Sequence, residues 1–239
     1  MAKIKKILIA TGGTGGHIFP AYGLAKNFLD KKIDVTITSD ARGIRYLKDF
    51  SNLKVIKISS STINNKNMFK FFHSMFLIFF SFCKSLFLLF KKKPNLIFGM
   101  GGYSSFPVCL ASKLMGIPFV IYENNLHVGK ANKFLLPFAK KIIVSYAELD
   151  GIPSKHRDKV NEVGNIIREE IIKFSFKLKS KSNKEKLAIL VLGGSQAAKI
   201  FAEKLPHIFE KCEKSNISLK IFQQCLPSQN NNLENFYKK

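Results

Sequence analysis

Six apolar runs of strand length punctuate the first 144 residues, at 4–10, 35–39, 53–58, 96–100, 118–122 and 141–144. Stretches with helical character, such as 20–30 and 106–115, fall between them. Each run is too short for a core helix and reads as a buried strand. Alternation of this kind specifies a parallel sheet covered on both sides, so the expected fold class is α/β. No internal repeat is visible at any period.

Near residues 174–186 the pattern breaks. Lys177-Leu-Lys-Ser-Lys-Ser-Asn-Lys-Glu-Lys186 is polar and charged and reads as a linker or exposed loop. The alternation then restarts with a strand at 187–192, Gly193-Gly194-Ser195, a helix from about Ala197 to Glu213, and a strand at 218–223. This second unit has only about fifty residues, too few to bury an independent α/β core. It closes on a polar tail at 230–239. The expected organisation is an N-terminal domain over 1–165, a linker over 166–186 and a partial, Rossmann-like second domain over 187–239.

Charge narrows the partners. The chain carries 39 Lys+Arg against 16 Asp+Glu, a formal charge of +23. Such an excess favours polyanions: nucleic acid, anionic lipid head groups or phosphorylated substrates. The arginines are confined to Arg42, Arg45, Arg157 and Arg168. Readers of nucleic acid lean on arginine for bidentate contacts, and no nucleic-acid module is recognisable, so no nucleic-acid partner is expected. Lysine travels here with 23 phenylalanines and 17 asparagines, residues that share AT-rich codons, and codon bias is an alternative source of part of the charge. Cys83, Cys109, Cys212 and Cys225 form no CxxC pair and read as free thiols in a reducing compartment. The apolar segment 7–10 is too short for a signal peptide.

The chemistry-bearing motifs sit at strand exits. Gly12-Gly-Thr-Gly-Gly-His17 follows the first strand and opens a helix with Pro20 near its start. Glycines permit close backbone approach, and the unpaired N–H groups and dipole of a helix N-terminus favour a phosphate. A tight strand–helix turn without a ligand is the bland alternative. No third glycine follows at dinucleotide spacing and no Gly-Lys-Ser/Thr follows as in a P-loop. Asp40 after the second strand could imitate a ribose-binding acid, which leaves a nicotinamide site as an alternative. Gly193-Gly194-Ser195-Gln196 repeats the device in the second unit, where simple N-capping by Ser195 is the bland reading. Gly99-Met-Gly-Gly-Tyr-Ser-Ser105 and Glu123-Asn-Asn125, with His127 and Gly129, leave two further strands at the same carboxyl edge. His17, Tyr103 and Glu123 are therefore expected to share one cleft.

Together these segments resemble the MurG family of peptidoglycan N-acetylglucosaminyltransferases, as do Gly116-Ile-Pro-Phe-Val120 and Gly164-Asn-Ile-Ile-Arg168. The resemblance runs from Lys6 to about Gln224. It implies a GT-B fold, with an acceptor-binding N-terminal domain and a nucleotide-sugar-binding C-terminal one. It implies transfer of N-acetylglucosamine from UDP-N-acetylglucosamine to the C4 hydroxyl of lipid I, at the cytoplasmic face of the membrane. By motif, Thr14, Gly15, Gly16, Asn125, Arg168 and Ser195 fall on donor contacts. Gly101, Gly102 and Tyr103 fall on the acceptor side, with His17 as the acid–base candidate and Glu123 as the second. No Asp-x-Asp motif is present, so neither a metal nor a cofactor is expected. The chain departs from the family at Tyr122-Glu-Asn-Asn125, usually His-Glu-Gln-Asn, at Ile166-Ile167, usually Pro-Val, and at Ala197, usually Gly. The family's later Ser-Glu loop and Gln are not in these 239 residues. A catalytically inactive remnant and a basic nucleotide- or nucleic-acid-binding protein are the alternative functions.

The segment 68–93 is dominated by phenylalanine. Between Lys70 and Lys84 it offers 13 residues, short of the ~20 that span a bilayer. As a helix it places Lys70, His73, Ser74, Ser81, Lys84 and Ser85 in one stripe roughly 120° wide. The remaining apolar face is wider than one core contact needs. Part of it is expected to cover the sheet and the excess, ringed by lysines, to sit on an anionic membrane surface.

Overall fold

The computed structural model of the chain describes residues 5–48, 50, 52–59, 61, 68–177, 186–194 and 199–238. Two compact units divide it, Met1–Ser175 and Phe176–Lys239. The first is a parallel α/β sheet, as the alternation requires. Its strands are β1 (Lys6–Ala10), β2 (Asp34–Ser39), β3 (Lys54–Lys57), β4 (Leu96–Gly99), β5 (Phe119–Glu123), β6 (Lys141–Val144) and β7 (Val160–Glu162). They lie in the order β3-β2-β1-β4-β5-β6-β7, every pair parallel. The helices are α1 (Gly15–Asp30), α2 (Ala41–Leu47), α3 (Met68–Lys92), α4 (Ser105–Leu114), α5 (Lys130–Leu135) and α6 (Glu169–Lys177), with a 3-10 helix at Ser154–Lys159.

Both faces of the sheet are covered, which explains why β1, β4, β5 and β6 are almost continuously apolar. Successive side chains of a strand point to opposite faces. Ile7 and Ile9 of β1 accordingly join one core with Ile18, Ala21 and Ala25 of α1 and Leu47 of α2. Leu8 and Ala10 join the other core, with Leu88 and Leu89 of α3, Val108 and Cys109 of α4 and Leu135 of α5. Burial pushes the Cys109 thiol up to about 12, so it behaves as an apolar side chain. The chain order reverses between β1 and β4, where a crevice opens at the carboxyl ends of an open α/β sheet.

Helix α3 splits its polar residues between the core and the surface. Its polar stripe divides: Ser74, Ser81 and Ser85 are buried, whereas Lys70, His73 and Lys84 are exposed. Ser81 Oγ donates to the Ser59 carbonyl at 2.9 Å and Ser85 Oγ to the Ser81 carbonyl at 2.7 Å, so the small hydroxyls are satisfied where a phenylalanine would not fit. Phe69, Phe72, Phe76, Phe79, Phe80, Phe87 and Phe90 face outward, each more than half exposed. Among the described residues, α3 is the one helix long and apolar enough to cross a membrane by length and composition.

Two boundaries differ from the sequence reading. Helix α1 begins at Gly15, so Pro20 lies inside it as the sixth residue and not at its start. The start of the anticipated linker is fastened to the first unit. Tyr122 Oη accepts from the Ile166 N–H at 3.0 Å, and Lys26 of α1 pairs with Glu170 of α6 at 2.8 Å.

The second unit contains β8 (Leu187–Val191), α7 (Lys199–Lys214), β9 (Leu219–Gln223) and α8 (Pro227–Tyr237), with β8 and β9 parallel. The anticipated polar tail is the helix α8. Pro227 starts it, Gln229 Oε1 accepts from the Leu226 N–H at 3.2 Å, and Leu233 is buried.

Candidate active site

Three strand exits meet at the chain reversal. At the exit of β1, the buried Gly12 leads to Gly13, whose φ of 87° suits only glycine and whose N–H donates to Asp40 Oδ1 at 3.0 Å. Asp40 also accepts from the Gly43 N–H at 2.9 Å and pairs with Arg42 at 3.0 Å. It thus caps α2 and braces the glycine turn. These bonds occupy the carboxylate, which removes the basis for reading it as a ribose ligand. Thr14 is the N-cap of α1 without a side-chain capping bond. No described residue accepts from the Gly15 and Gly16 N–H groups, and Thr14 and Gly16 are exposed. The helix end is anion-receptive, with Gly16 exposed and Gly15 buried.

The exit of β4 closes over that turn. Met100 N–H donates to the Ala10 carbonyl at 2.8 Å, and Ser104 Oγ donates to the Thr11 carbonyl at 2.7 Å. Gly102, with φ 78°, passes so close that a Cβ there would lie 2.5 Å from the Gly12 carbonyl oxygen. Gly101 rests on the His17 ring, where a Cβ would stand 2.8 Å from Nδ1. Tyr103 follows, partly exposed.

The exit of β5 is organised by Glu123, which is 2% exposed. Its Oε1 accepts from the Asn125 side chain at 2.6 Å and the Asn125 N–H at 3.2 Å. Its Oε2 accepts from the Gly129 N–H at 2.9 Å and Asn132 Nδ2 at 3.0 Å. Four donors hold this carboxylate, which fixes Asn125 and the turn into α5. Asn124 Nδ2 reaches back to the Gly16 carbonyl at 2.9 Å.

His17, Gly101, Gly102, Tyr103, Glu123 and Asn125 line one cavity of about 140 Å³, with Gly129, Lys130 and Asn132. The sequence places His17, Tyr103 and Glu123 in one cleft, and the fold brings them together there. Burial, the largest influence, holds the His17 imidazole below its usual 6.5; the Glu123 charge and the Met100 backbone pull it upward by less. His17 is therefore neutral at physiological pH and able to accept a proton. Its Nδ1 and Asn132 Oδ1 are buried without a hydrogen-bond partner among the described residues. These are polar atoms that a bound hydroxyl, amide or water would satisfy.

Arg168 lies outside the cavity. Its guanidinium stacks on the Phe19 ring of α1 at 4.2 Å. The backbone of 166–168 lies alongside α1 at Gly23, where an added Cβ would make only ordinary contact with the Ile167 carbonyl at 3.8 Å. Ser195 lies outside the described residues. No group of three or more His, Cys, Asp or Glu among the described residues is placed to hold a metal. Sequence reasoning misses Asn132, and it gives no role to Ser104, Tyr122 or Asn124, which stand inside motifs it quotes.

With this geometry in hand, the similarities to known proteins are specific. The chain matches the glycosyltransferase family 28 N-terminal domain over residues 7–144. It is 35% identical over 226 residues to a Francisella tularensis subsp. holarctica protein named UDP-N-acetylglucosamine–N-acetylmuramyl-(pentapeptide) pyrophosphoryl-undecaprenol N-acetylglucosamine transferase; the match covers 92% of this chain and 60% of that one. A Pelagibacter ubique protein of the same name is 34% identical over 239 residues, covering 98% and 63%. Among solved structures, Acinetobacter baumannii MurG superposes with a TM-score of 0.72 at 26% identity, covering 98% of this chain and 65% of that one. The α/β architecture of GT-B type is shared with that structure. The chain spans less than two thirds of the length of these relatives.

Proposed function

We propose, since this chain belongs to glycosyltransferase family 28, that it serves the transfer of N-acetylglucosamine from UDP-N-acetylglucosamine to the C4 hydroxyl of lipid I, giving lipid II. The observation that carries this reading is the convergence of three strand exits on His17, a neutral imidazole in a small cavity beside an anion-receptive helix end.

In this reading the acceptor sugar enters the cavity and its C4 hydroxyl approaches His17. The hydroxyl oxygen attacks the anomeric carbon, the bond from that carbon to the diphosphate breaks, and UDP leaves with the electron pair. His17 takes the hydroxyl proton. Glu123 is engaged by four donors, so its role is to hold Asn125 and to stabilise the imidazolium that forms, in preference to acting as the base. The leaving diphosphate gathers charge, which the Gly15 and Gly16 N–H groups and the guanidinium of Arg168 suit. Ser195 is assigned to the donor by motif. Gly101 and Gly102 act by proximity, keeping the acceptor side shallow over Gly12, and Tyr103 borders the entrance.

A transfer assay with labelled UDP-N-acetylglucosamine and a lipid I analogue tests this directly. His17→Ala is expected to lower turnover by ~10²–10⁴-fold while leaving the fold intact. Near-normal turnover would remove His17 from the chemistry. A second reading is an acceptor-side module without turnover of its own, which the exposed apolar residues of β8 and β9 favour. Absence of transfer by the full chain, with retained binding of the lipid I analogue, is its signature.

The membrane assignment belongs to the same proposal. The outward phenylalanines of α3, flanked by Lys70, Lys84, Lys91 and Lys92, suit a helix lying in the interface of an anionic, cytoplasm-facing membrane, where lipid I presents its sugar. Flotation with anionic vesicles is expected to carry the chain upward at low salt, and Phe76→Asp with Phe79→Asp to abolish it. No binding at low salt would count against the assignment.

A further inference from the structure

Helix α1 contains a donor gap that another element fills. Pro20, its sixth residue, has no N–H, so the carbonyl four residues earlier, that of Gly16, lacks its helical donor. Asn124 Nδ2, at the exit of β5, donates to that carbonyl at 2.9 Å. The adjacent carbonyl, that of His17, receives Thr11 Oγ1 from the exit of β1 at 3.0 Å. The first turn of α1 is thus tied to two strand exits by side chains. It is also the turn whose Gly15 and Gly16 N–H groups have no acceptor among the described residues and whose His17 lines the cavity. A Gly-Gly turn has little rigidity of its own.

We propose that Asn124 is a positioning residue. By supplying the donor that Pro20 withholds, it fixes the first turn of α1 and so aims the Gly15 and Gly16 N–H groups and the His17 ring. Its neighbour Glu123 anchors the other end of this tie, because its four hydrogen bonds immobilise the β5 exit from which Asn124 projects. The ligand that those N–H groups receive, a sugar diphosphate, rests on the function proposed above; the tie does not.

The pairing of Pro20 with Asn124 allows a double-mutant cycle on the full chain, with Asn124→Ala, Pro20→Ala, the double variant and Asn124→Gln. The first readout needs no ligand: amide hydrogen exchange at His17, Ile18 and Phe19. Loss of one hydrogen bond is expected to speed exchange there by about three- to tenfold in Asn124→Ala. Asn124→Gln keeps the donor and is expected to restore most of the protection. In the Pro20→Ala background the new N–H serves the Gly16 carbonyl from within the helix, so removing Asn124 becomes close to silent. The second readout is the transfer assay, in which Asn124→Ala is expected to raise KM for UDP-N-acetylglucosamine more than it lowers kcat. Equal effects of Asn124→Ala in both backgrounds, or unchanged exchange in the first turn, would overturn the proposal. A coupled exchange cycle in a wild-type chain that neither binds nor turns over UDP-N-acetylglucosamine would support the tie and remove the nucleotide-sugar reading instead.

Discussion

Strands β1 and β8 are similar strings, Lys6-Ile-Leu-Ile-Ala10 and Leu187-Ala-Ile-Leu-Val191, and each pairs in parallel with the next strand of its unit. Yet Ile9 is fully buried while Leu190 is 65% exposed. The difference lies in the neighbours. β1 runs between β2 and β4, with α1 packed on one face and α3 and α4 on the other. Among the described residues β8 pairs only with β9, and Leu187, Leu192 and Phe222 are also more than half exposed. A continuous apolar run therefore states a demand for cover on both faces. Whether the demand is met depends on elements elsewhere in the chain.

The sharpest way to break this comparison is to truncate one residue in each strand. Ile9→Ala is expected to destabilise the first unit by about 2–5 kcal/mol, the transfer term of the lost methylenes plus a cavity that a close-packed interior fills poorly. Leu190→Ala is expected to stay within ~0.5 kcal/mol, as surface changes do. Urea midpoints, or exchange protection of β1 and β8 amides, measure both. An equal loss at Leu190 would mean that β8 is covered in solution.

The same distinction explains what is legible in the sequence. The recurrence of short apolar-rich runs reveals β1 to β6, although the signature is interrupted by polar residues in β2 (Asp34-Val-Thr-Ile-Thr-Ser39) and β3 (Lys54-Val-Ile-Lys57). β7, Val160-Asn-Glu162, escapes because an edge strand with two exposed residues carries none. Glycine spacing places His17, Tyr103 and Glu123 on one rim, since strand exits of a parallel sheet share an edge. The partners that fix this rim are illegible: Asp40, Asn124 and Asn132 lie 27, 108 and 9 residues from Gly13, Gly16 and Glu123, the groups they bond. Nothing local marks such pairings. The serines of α3 mislead in the opposite sense, because a hydroxyl that bonds a nearby carbonyl can sit inside a helix packing face as readily as outside it.

The two glycine turns extend the comparison at intermediate size. Gly102→Ala would press a methyl on the Gly12 carbonyl at a backbone φ of 78°, and a loss of about 1–3 kcal/mol with reduced transfer activity is expected. Gly116, with φ 69° and open space around it, isolates the backbone strain: Gly116→Ala should lose only about 1–2 kcal/mol. At Gly194, in the second unit, a methyl would find no described neighbour within 4 Å, so Gly194→Ala should fall within ~0.5 kcal/mol. Thermal midpoints rank the three variants. A Gly194 effect as large as that of Gly102 would show that the second turn is as tightly covered as the first.

The smallest expected effect is a titration confined to the covered rim. Burial lowers the folded-state pKa of His17 below the 6.5 of an unperturbed imidazole, so the unfolded chain binds the proton first as pH falls. His17 contributes no proton-linked loss above about pH 6.5. Below it, stability declines until pH has passed through the lower folded-state value. His17→Gln abolishes the titration and should flatten that segment of the stability–pH curve, while leaving the curve above pH 7 parallel to wild type. If the imidazole is the base, the acid limb of kcat/KM for transfer should likewise lie below 6.5. An acid limb above 6.5, or a stability curve that His17→Gln leaves unchanged, would mean that the ring is wetter than the packing of Gly101 against it implies.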